Sequence, residues 1–274
     1  MKTISSLSEF KKFRDSLSGS VGLIPTMGAL HEGHLSLVNQ SNINCDYTIV
    51  SIFINPAQFS KGEDLSTYPR QLEKDLSLLK NFNVDAVFLP TNQTMYPKKF
   101  STFINEDNIS KGLEGKCRPN FFRGITTIIA KLFNIIEPTH TFFGEKDAQQ
   151  LCVVQKMITD LNYPIQIISC PIVREKNGLA MSSRNKYLSV ESRQSSSIIY
   201  AGLKYGISLL KKGERDSNII RKEISQFILK EPLAKIDYIS VSDTFFLKEI
   251  NEKIDGDILI SSAIYFDDIR LIDN

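Results

Sequence analysis

The chain has 274 residues, of which 42% are hydrophobic and 23% are charged, which suits one large globular domain or two modest ones. Its 33 basic and 31 acidic residues leave a formal net charge of +2, so no global basic field would draw it to nucleic acid or to a membrane surface. The four cysteines lack metal-ligand spacing and are expected to be buried thiols, and the first residues lack the apolar core of a secretory signal, so we expect a cytoplasmic protein.

The first two thirds of the chain alternate short β-branched runs with helical patterns. The expected strands cover 21–25, 47–55, 84–90, 139–145 and 164–173, and the expected helices cover about 34–42, 70–82, 124–138 and 147–162. Continuous apolar strands that alternate with helices predict an α/β fold with a parallel sheet covered on both faces. The most apolar helix, 124–138, is interrupted by Lys131 and Asn134 and is shorter than the ~20 residues of a membrane span.

The pattern changes after about residue 176. Expected helices over 189–213 and 216–230 are followed by two expected strands, over 235–243 and 256–266, and then by RLIDN at 270–274. This order predicts a smaller C-terminal α+β domain, so we expect one domain over 1–176 and a second over 177–274. The boundary should lie near the Gly-, Ser- and Asn-rich stretch REKNGLAMSSRN.

Polar clusters follow four of the expected parallel strands, where open α/β sheets bind ligands. The clusters are PTMGALHEGH, NPAQF, GEKDAQQ and the stretch that leads to MSSRN. In the first, glycines allow a close backbone approach, and the helix that follows directs its N–H groups and the positive end of its dipole at the loop. This arrangement favours phosphate binding, with His31 and His34 sharing one face of the helix.

Each cluster also has a plainer interpretation. His31 and His34 can be incidental, and zinc ligation is disfavoured because their spacing is not that of H-E-x-x-H and the chain has only one further histidine. Lys146 offers a charge to phosphate, but Asp147 can simply cap a helix. Arg184 and its neighbouring serines suit a phosphate clamp or a flexible linker. The motifs of P-loop proteins, dinucleotide-binding proteins and α/β-hydrolases do not occur.

Taken together and in order, the clusters identify a family. The chain resembles the pantoate–β-alanine ligases over nearly its whole length, through PTMGALHEGHLSLV, FINPAQF, FFGEKDAQQL, IVREKNGLAMSSRNKYLS and RLIDN. The family belongs to the nucleotidyltransferase superfamily, together with the class I aminoacyl-tRNA synthetases. In this chain, HEGH resembles the HIGH motif of those synthetases. MSSRN stands where they carry their mobile KMSKS loop. The resemblance implies a Rossmann-like ATP- and pantoate-binding domain, with a C-terminal lid domain adjacent to the contact of a homodimer.

The resemblance also implies the reaction. Pantoate attacks the α-phosphorus of ATP, which carries Mg²⁺, and the pantoyl adenylate then reacts with β-alanine to give pantothenate and AMP. Because attack by a carboxylate needs no base, His34 is expected to act as a strong hydrogen-bond donor rather than as a proton shuttle.

By resemblance, His34, His31 and Lys146 are catalytic, Gln58 and Gln150 contact pantoate, and Gln58 also contacts β-alanine. The residues expected along ATP are Met27, Gly28, Ala29, Leu30, His31, Glu32, Gly33, His34, Gly144, Glu145, Lys146, Asp147, Val173, Met181, Ser182, Ser183 and Arg184. No Mg²⁺ ligand is assigned.

Three positions depart from the family pattern and concern the shape of the pocket. Phe121 stands in place of a histidine, Ala148 in place of an aromatic residue, and Ala57 in place of a larger residue. Two other functions share some of these motifs. A synthetase-like tRNA binder would need a basic surface, and an ATP-binding regulator without catalysis would have lost its phosphate-handling residues.

Overall fold

The structure is a computed structural model that describes residues 1–60 and 62–274. The chain divides into two compact units. Unit 1 comprises residues 1–145 and 150–171, and unit 2 comprises residues 146–149 and 172–274. The domain limits expected from the sequence stay a prediction.

Unit 1 contains a six-stranded parallel sheet in the order β1-β4-β3-β2-β5-β6. Its strands are β1 (Lys2–Ile4), β2 (Val21–Thr26), β3 (Tyr47–Ile52), β4 (Ala86–Phe88), β5 (His140–Gly144) and β6 (Gln166–Cys170). The middle strands are apolar on both faces because helices cover both sides of the sheet, as in other parallel sheets. The expected α/β class with a parallel sheet is therefore confirmed.

Along the chain, the α-helices of the first 160 residues lie between these strands. They are α1 (Leu7–Asp15), α2 (Glu32–Asn44), α3 (Leu72–Leu79), α4 (Asn92–Met95), α5 (Leu113–Cys117), α6 (Phe121–Ile136) and α7 (Ala148–Asp160). Residues from α2, α3 and the sheet form one buried apolar cluster, which includes Leu37, Leu79, Val50, Val87 and Phe142. This packing fixes the carboxyl ends of the strands, where the polar clusters follow.

The pairing between β2 and β5 ends early. These two strands pair only at Gly22 with His140 and at Leu23 with Thr141, whereas β2 pairs with β3 as far as Thr26. Pro25, which has no N–H to donate, therefore sits in a central strand without breaking the pairing with β5. The order of strands along the chain reverses at this point, and a crevice at such a point is where open α/β sheets bind ligands.

Unit 2 contains a three-stranded antiparallel sheet and three helices. These are β7 (Ala234–Asp243), β8 (Ile258–Phe266), β9 (Ile269–Asp273), α8 (Val190–Ser195), α9 (Ile198–Lys211) and α10 (Ser217–Ile228). Isoleucines of α9 and α10, among them Ile199, Ile220 and Ile224, are buried with Val241 and Ile264 of the sheet. This packing accounts for the stability of an otherwise small sheet.

Two expectations about local structure are wrong, and two elements near the N-terminus were not predicted. The helix expected over 189–213 is interrupted between α8 and α9, because the hydroxyls of Ser196 and Ser197 donate to the carbonyls of Arg193 and Gln194 and compete with helical hydrogen bonding. The first 15 residues form β1 and α1, for which the sequence carries no expected element. Of the four cysteines, Cys170 is buried but Cys117 is exposed.

Candidate active site

The segment between β2 and α2 turns sharply before the two histidines. Gly28 and Ala29 both adopt the left-handed backbone region, with φ of 83° and 53°. That conformation is unfavourable for a non-glycine residue, so Ala29 must be held by its surroundings. The chain then becomes extended at His31, the N-cap residue, and α2 begins at Glu32. Both histidines are thereby set at the start of a helix, as the sequence analysis expects.

The two histidine side chains lie together. Their ring centroids are 4.1 Å apart, at an interplanar angle of 43°. The backbone N–H of His31 donates to Nδ1 of His34 at 3.4 Å, which is the reciprocal half of a capping box with histidine in the place of glutamate. Since Nδ1 accepts, the proton of a neutral His34 ring resides on Nε2. The His34 ring is thus prepared as a hydrogen-bond donor.

Backbone N–H groups in the turn are already engaged within the protein. The N–H of Gly28 donates to Thr26 Oγ1 at 3.2 Å. The N–H groups of Ala29 and Leu30 donate to the two carboxylate oxygens of Asp75, each at 2.8 Å. These three N–H groups of the turn are therefore satisfied within the protein.

A buried network orients Gln58, which lies in a short 3-10 turn, Pro56–Gln58, after β3. The hydroxyl of Tyr96 donates to Asn55 Oδ1 at 2.7 Å, and the Asn55 amide N–H₂ donates to Gln58 Oε1 at 3.1 Å and to the carbonyl of Gly124 at 3.0 Å. Burial raises the pKa of Tyr96 to about 12, so its hydroxyl keeps its proton and remains a donor at neutral pH. Gln58 Nε2 then points at Met27 Sδ, 2.9 Å away.

Arg118 contacts the backbone of Gln58 and is itself held by Glu63 and Phe121. The Arg118 guanidinium donates to the Gln58 carbonyl at 3.2 Å. It also makes a bidentate ion pair with Glu63, in which both N···O distances are 2.7 Å. It stacks on the ring of Phe121, 3.6 Å from the centroid. The aromatic residue that departs from the family pattern thus packs against the arginine that anchors Gln58.

The end of β5 offers open space. A Cβ atom added at Gly144 would meet no atom within 4 Å among the described residues. Glu145 follows in a 3-10 turn, Glu145–Asp147, and Gln150 lies half-buried in the first turn of α7. Ala148, the second departure from the family pattern, is the first residue of α7 and is also half-buried.

In unit 2, Lys146 is held from two sides. Its ammonium lies 3.3 Å from Asp147 Oδ1, and its side chain is only 18% exposed. Its backbone carbonyl accepts a hydrogen bond from the Asn274 side-chain amide at 3.0 Å. The position of Lys146 is therefore well defined, although a lysine side chain is otherwise long and flexible.

The MSSRN segment of unit 2 is anchored at both ends. The N–H of Met181 donates to the carbonyl of Val173 at 2.9 Å. Asn185, 3% exposed, donates to the carbonyl of Ala180 at 3.1 Å and to Glu175 Oε1 at 2.9 Å. Ser182, Ser183 and Arg184 lie between these anchors, and the Arg184 N–H donates to Ser182 Oγ at 3.3 Å.

Glu175 accepts hydrogen bonds from both Asn185 and Arg193. Burial opposes ionisation, but hydrogen bonds from Arg193 and Asn185, together with the charge of Arg193, outweigh it and leave the pKa of Glu175 below its ordinary value. The Arg193 guanidinium donates to both Glu175 oxygens, at 2.9 and 2.8 Å. The carboxylate is therefore ionised at neutral pH and ties the segment to α8.

The residues expected along ATP are divided between the units. Residues 27–34, 144 and 145 belong to unit 1, and residues 146, 147, 173 and 181–184 belong to unit 2. Within unit 1 the structure brings together the two histidines and joins Gln58 to Met27. Within unit 2 it joins Lys146 to Asp147 and Val173 to Met181.

Sequence reasoning missed Asp75, Tyr96 and Asn185. One signal for Asp75 was present, because it lies three residues after Leu72 and four before Leu79 and so on the apolar face of an amphipathic helix. The contacts of Tyr96 and Asn185 are not predicted by any local sequence pattern.

Neither a metal centre nor a membrane span is found within residues 1–60 and 62–274. No three His, Cys, Asp or Glu side chains in that part of the chain are grouped as metal ligands. No helix there has the length and apolarity needed to cross a bilayer.

Comparisons with known proteins agree over the whole chain. The family model described as Pantoate-beta-alanine ligase matches residues 1–274. A pantothenate synthetase from Acetivibrio thermocellus is 50% identical over 274 residues, 100% of this chain and 97% of the relative. One from Clostridium botulinum strain Loch Maree is 52% identical over 264 residues, 96% of this chain and 93% of the relative.

Solved structures give the same result. The crystal structure of pantothenate synthetase from Thermus thermophilus has a TM-score of 0.94 at 37% identity and covers 100% of this chain and 98% of its own. A pantoate-beta-alanine ligase from Francisella tularensis, complexed with beta-gamma ATP and beta-alanine, has a TM-score of 0.82 at 33% identity, with 100% and 96% covered.

Proposed function

Since the chain belongs to the pantoate-beta-alanine ligase family over its whole length, and is therefore a ligase of pantoate and β-alanine, we propose that its reaction runs in two half-reactions through a pantoyl adenylate. In the first, a carboxylate oxygen of pantoate bonds to the α-phosphorus of ATP, and the bond from that phosphorus to the bridging oxygen breaks to release pyrophosphate. In the second, the amine of β-alanine bonds to the activated carbonyl carbon, AMP leaves, and the nitrogen loses a proton.

His34 and His31 stabilise the charge that develops on the nucleotide. The hydrogen bond that His34 Nδ1 accepts from the backbone supports a donor role for Nε2, and the contact with the tilted His31 ring supports the same orientation. A donor aimed at a developing oxyanion is worth roughly 10²–10³ in turnover. No base is needed in this half-reaction, because pantoate attacks as a carboxylate.

Gln58 and Gln150 bind pantoate, and Gln58 also contacts β-alanine. A side-chain amide can donate to a carboxylate and accept from a hydroxyl, which suits a hydroxy acid. The network through Asn55 and Tyr96 supports this role, because it presents the N–H₂ of Gln58 beside Met27 of the histidine segment. This juxtaposition of an oriented amide with the predicted nucleotide segment is the observation that carries the proposal.

Lys146 and the segment Met181–Arg184 neutralise the leaving pyrophosphate. Lysine and arginine are the residues suited to phosphate oxygens, and hydroxyls of Ser182 and Ser183 add further donors. The anchoring of this segment by Asn185 supports the role, because preorganised donors cost less to align when the nucleotide binds.

Mg²⁺ enters bound to the nucleotide rather than as a resident ion. Mg²⁺ binds one or two carboxylates at most when phosphates supply the rest of its shell, and it keeps several waters.

The test is the first half-reaction by itself. Wild-type enzyme with ATP and pantoate, but without β-alanine, should release pyrophosphate, and ¹⁸O from the pantoate carboxylate should appear in AMP once β-alanine is added. His34→Ala should slow the release by about 10²-fold or more, because a donor to the developing charge is lost.

The matched control is the third histidine of the chain. His140 lies at the start of β5, where its Nδ1 meets Thr139 Oγ1 at 2.8 Å, so His140→Asn should release pyrophosphate at the wild-type rate. An adenylate route is excluded if pyrophosphate appears only after β-alanine is added. Unchanged turnover in His34→Ala would remove His34 from the mechanism.

We also propose that the enzyme works in the cytoplasm as a homodimer. The family resemblance supports both statements, and the near-neutral net charge of +2 supports small-molecule substrates rather than nucleic acid. Light scattering of the purified enzyme should give twice the 31.0 kDa mass of the chain.

A further inference from the structure

Asp75 is the most deeply buried charged side chain near the histidine segment, at 1% exposure. Asp75 lies in α3 and binds Ala29 and Leu30, which are 46 and 45 positions away along the chain. Among the described residues its hydrogen-bond partners are N–H donors: the backbones of Ala29 and Leu30 at 2.8 Å each, and the Gln71 amide at 3.3 Å. Burial of a carboxylate is costly unless it is satisfied in this way.

The bonded residues are those with the unusual backbone. Ala29 has a φ of 53°, which a residue with a Cβ adopts at a cost and keeps only where its surroundings impose it. Gly28, at φ 83°, comes so close to the carboxylate that an added Cβ would lie 3.0 Å from Asp75 Oδ2. Two short hydrogen bonds, which backbone N–H groups donate to the two oxygens of one carboxylate, therefore fix the turn that leads directly into His31 and His34.

We propose that Asp75 is a positioning residue for the reaction: its carboxylate holds the 28–30 turn so that the imidazoles of His31 and His34 are preorganised toward the nucleotide. The inference rests on the proposed function for its kinetic consequence. Asp75 touches no reacting atom in this account, and its effect passes through the backbone of Ala29 and Leu30 to the start of α2.

The variants are Asp75→Ala, which removes both acceptors, and Asp75→Asn, which keeps the shape and one acceptor. Asp85→Asn is the matched control, because Asp85 Oδ2 also accepts a backbone N–H, that of Thr48 at 2.8 Å, at the opposite end of the sheet. All three should be folded by circular dichroism, and their melting temperatures should be measured alongside activity.

Kinetics should separate positioning from stability. We expect kcat for pyrophosphate release to fall roughly 10²-fold in Asp75→Ala, less in Asp75→Asn, with the KM for pantoate little changed, because a displacement of about 1 Å in a catalytic group has an effect of that size. Asp85→Asn should keep the wild-type kcat. A wild-type kcat in folded Asp75→Ala, or an equal loss in Asp85→Asn, would overturn the proposal.

A second readout does not depend on activity. The chain has three histidines, so the ring ¹⁵N–¹H correlations of His31, His34 and His140 can be resolved and assigned in full-length protein. Asp75→Ala should move the signals of His31 and His34 and leave that of His140 in place. If both stay unmoved, the positioning role is wrong even if the enzyme is a ligase; if they move while wild-type enzyme makes no adenylate, the proposed function fails and the positioning stands.

Discussion

At the scale of single residues, Gly124 shows how the absence of one methyl group locates a functional amide. Gly124 lies near the start of α6, where an added Cβ would fall 2.4 Å from the carbonyl oxygen of Ala57 and 2.6 Å from the backbone nitrogen of Gln58. Its own carbonyl accepts from Asn55. The helix can therefore touch the turn that carries Gln58, and the small Ala57 lies at the same contact.

We expect Gly124→Ala to displace that turn. Overpacking against backbone typically costs about 1–3 kcal/mol of unfolding free energy. The KM for pantoate should rise by roughly tenfold, and more than the KM for ATP, because each 1.4 kcal/mol of lost binding is a factor of about ten. Steady-state kinetics and thermal melting test this, with Asn134→Ala, exposed on the same helix, as the control. An unchanged pantoate KM would show that the turn tolerates the methyl group.

Residue types and their order along the chain point to the histidines and Gln58 as candidate site residues, whose roles stay predictions, whereas the contacts of Asp75 and Asn185 were not predicted. The first set belongs to short motifs whose chemistry is visible locally. Asp75 acts on residues 45 and 46 positions away, and only the packing of α3 beside the turn creates that contact. Tyr96 likewise reaches Asn55 across 41 positions.

At the scale of elements, the agreement is good for the long periodic segments and poor for their ends. β2 spans Val21–Thr26 and α6 spans Phe121–Ile136, close to the expected ranges, because apolar runs and spacing decide them. β3 ends at Ile52 rather than near residue 55, since Asn55 caps the 3-10 turn. β1 has only three residues and is stabilised by pairing with β4, which no local pattern reveals.

The segment anchored by Glu175 should be sensitive to acid. The pKa of Glu175 is lowered in the folded protein, so its ionisation stabilises the fold above the unfolded pKa, and this contribution is lost as the pH falls through the folded value. As the pH falls from 7 to below the ordinary pKa of a glutamate, the melting temperature of Glu175→Gln should therefore fall less than that of the wild type. Exposed Glu191→Gln in α8 should follow the wild type; identical slopes for wild type and Glu175→Gln would contradict the assignment.

At the scale of the whole molecule, the four thiols differ sharply in environment. Burial raises the pKa of Cys170 to about 11, with Glu145 adding to the effect. Burial and the charge of Asp46 raise the pKa of Cys45 to about 11, against a smaller opposing effect of a hydrogen bond to Ser41. Cys117 is exposed at the end of α5. The thiolate is the reactive form, so the exposed Cys117 should react before Cys45 and Cys170, whose raised pKa values leave little thiolate at neutral pH.

Iodoacetamide at pH 7.5 should alkylate Cys117 first and Cys170 last, as measured by peptide mass mapping over time. Cys117→Ser should lose the fast phase and keep the slow ones. Labelling of Cys170 in folded enzyme as fast as Cys117 would show that its surroundings open to solvent.

The parting of β2 from β5 after Leu23 has a consequence for how recognition can be dissected. Beyond Leu23 and Thr141, β2 and β5 no longer exchange hydrogen bonds with each other. Peptide groups that face this gap can bond to a molecule that enters it, and they do so whatever side chain the residue carries. Alanine scanning along Ile24–Thr26 and Phe142–Gly144 would therefore leave intact any hydrogen bond that a bound molecule makes to these peptide groups. Replacement of single amides by esters is the chemistry that would reveal such a hydrogen bond.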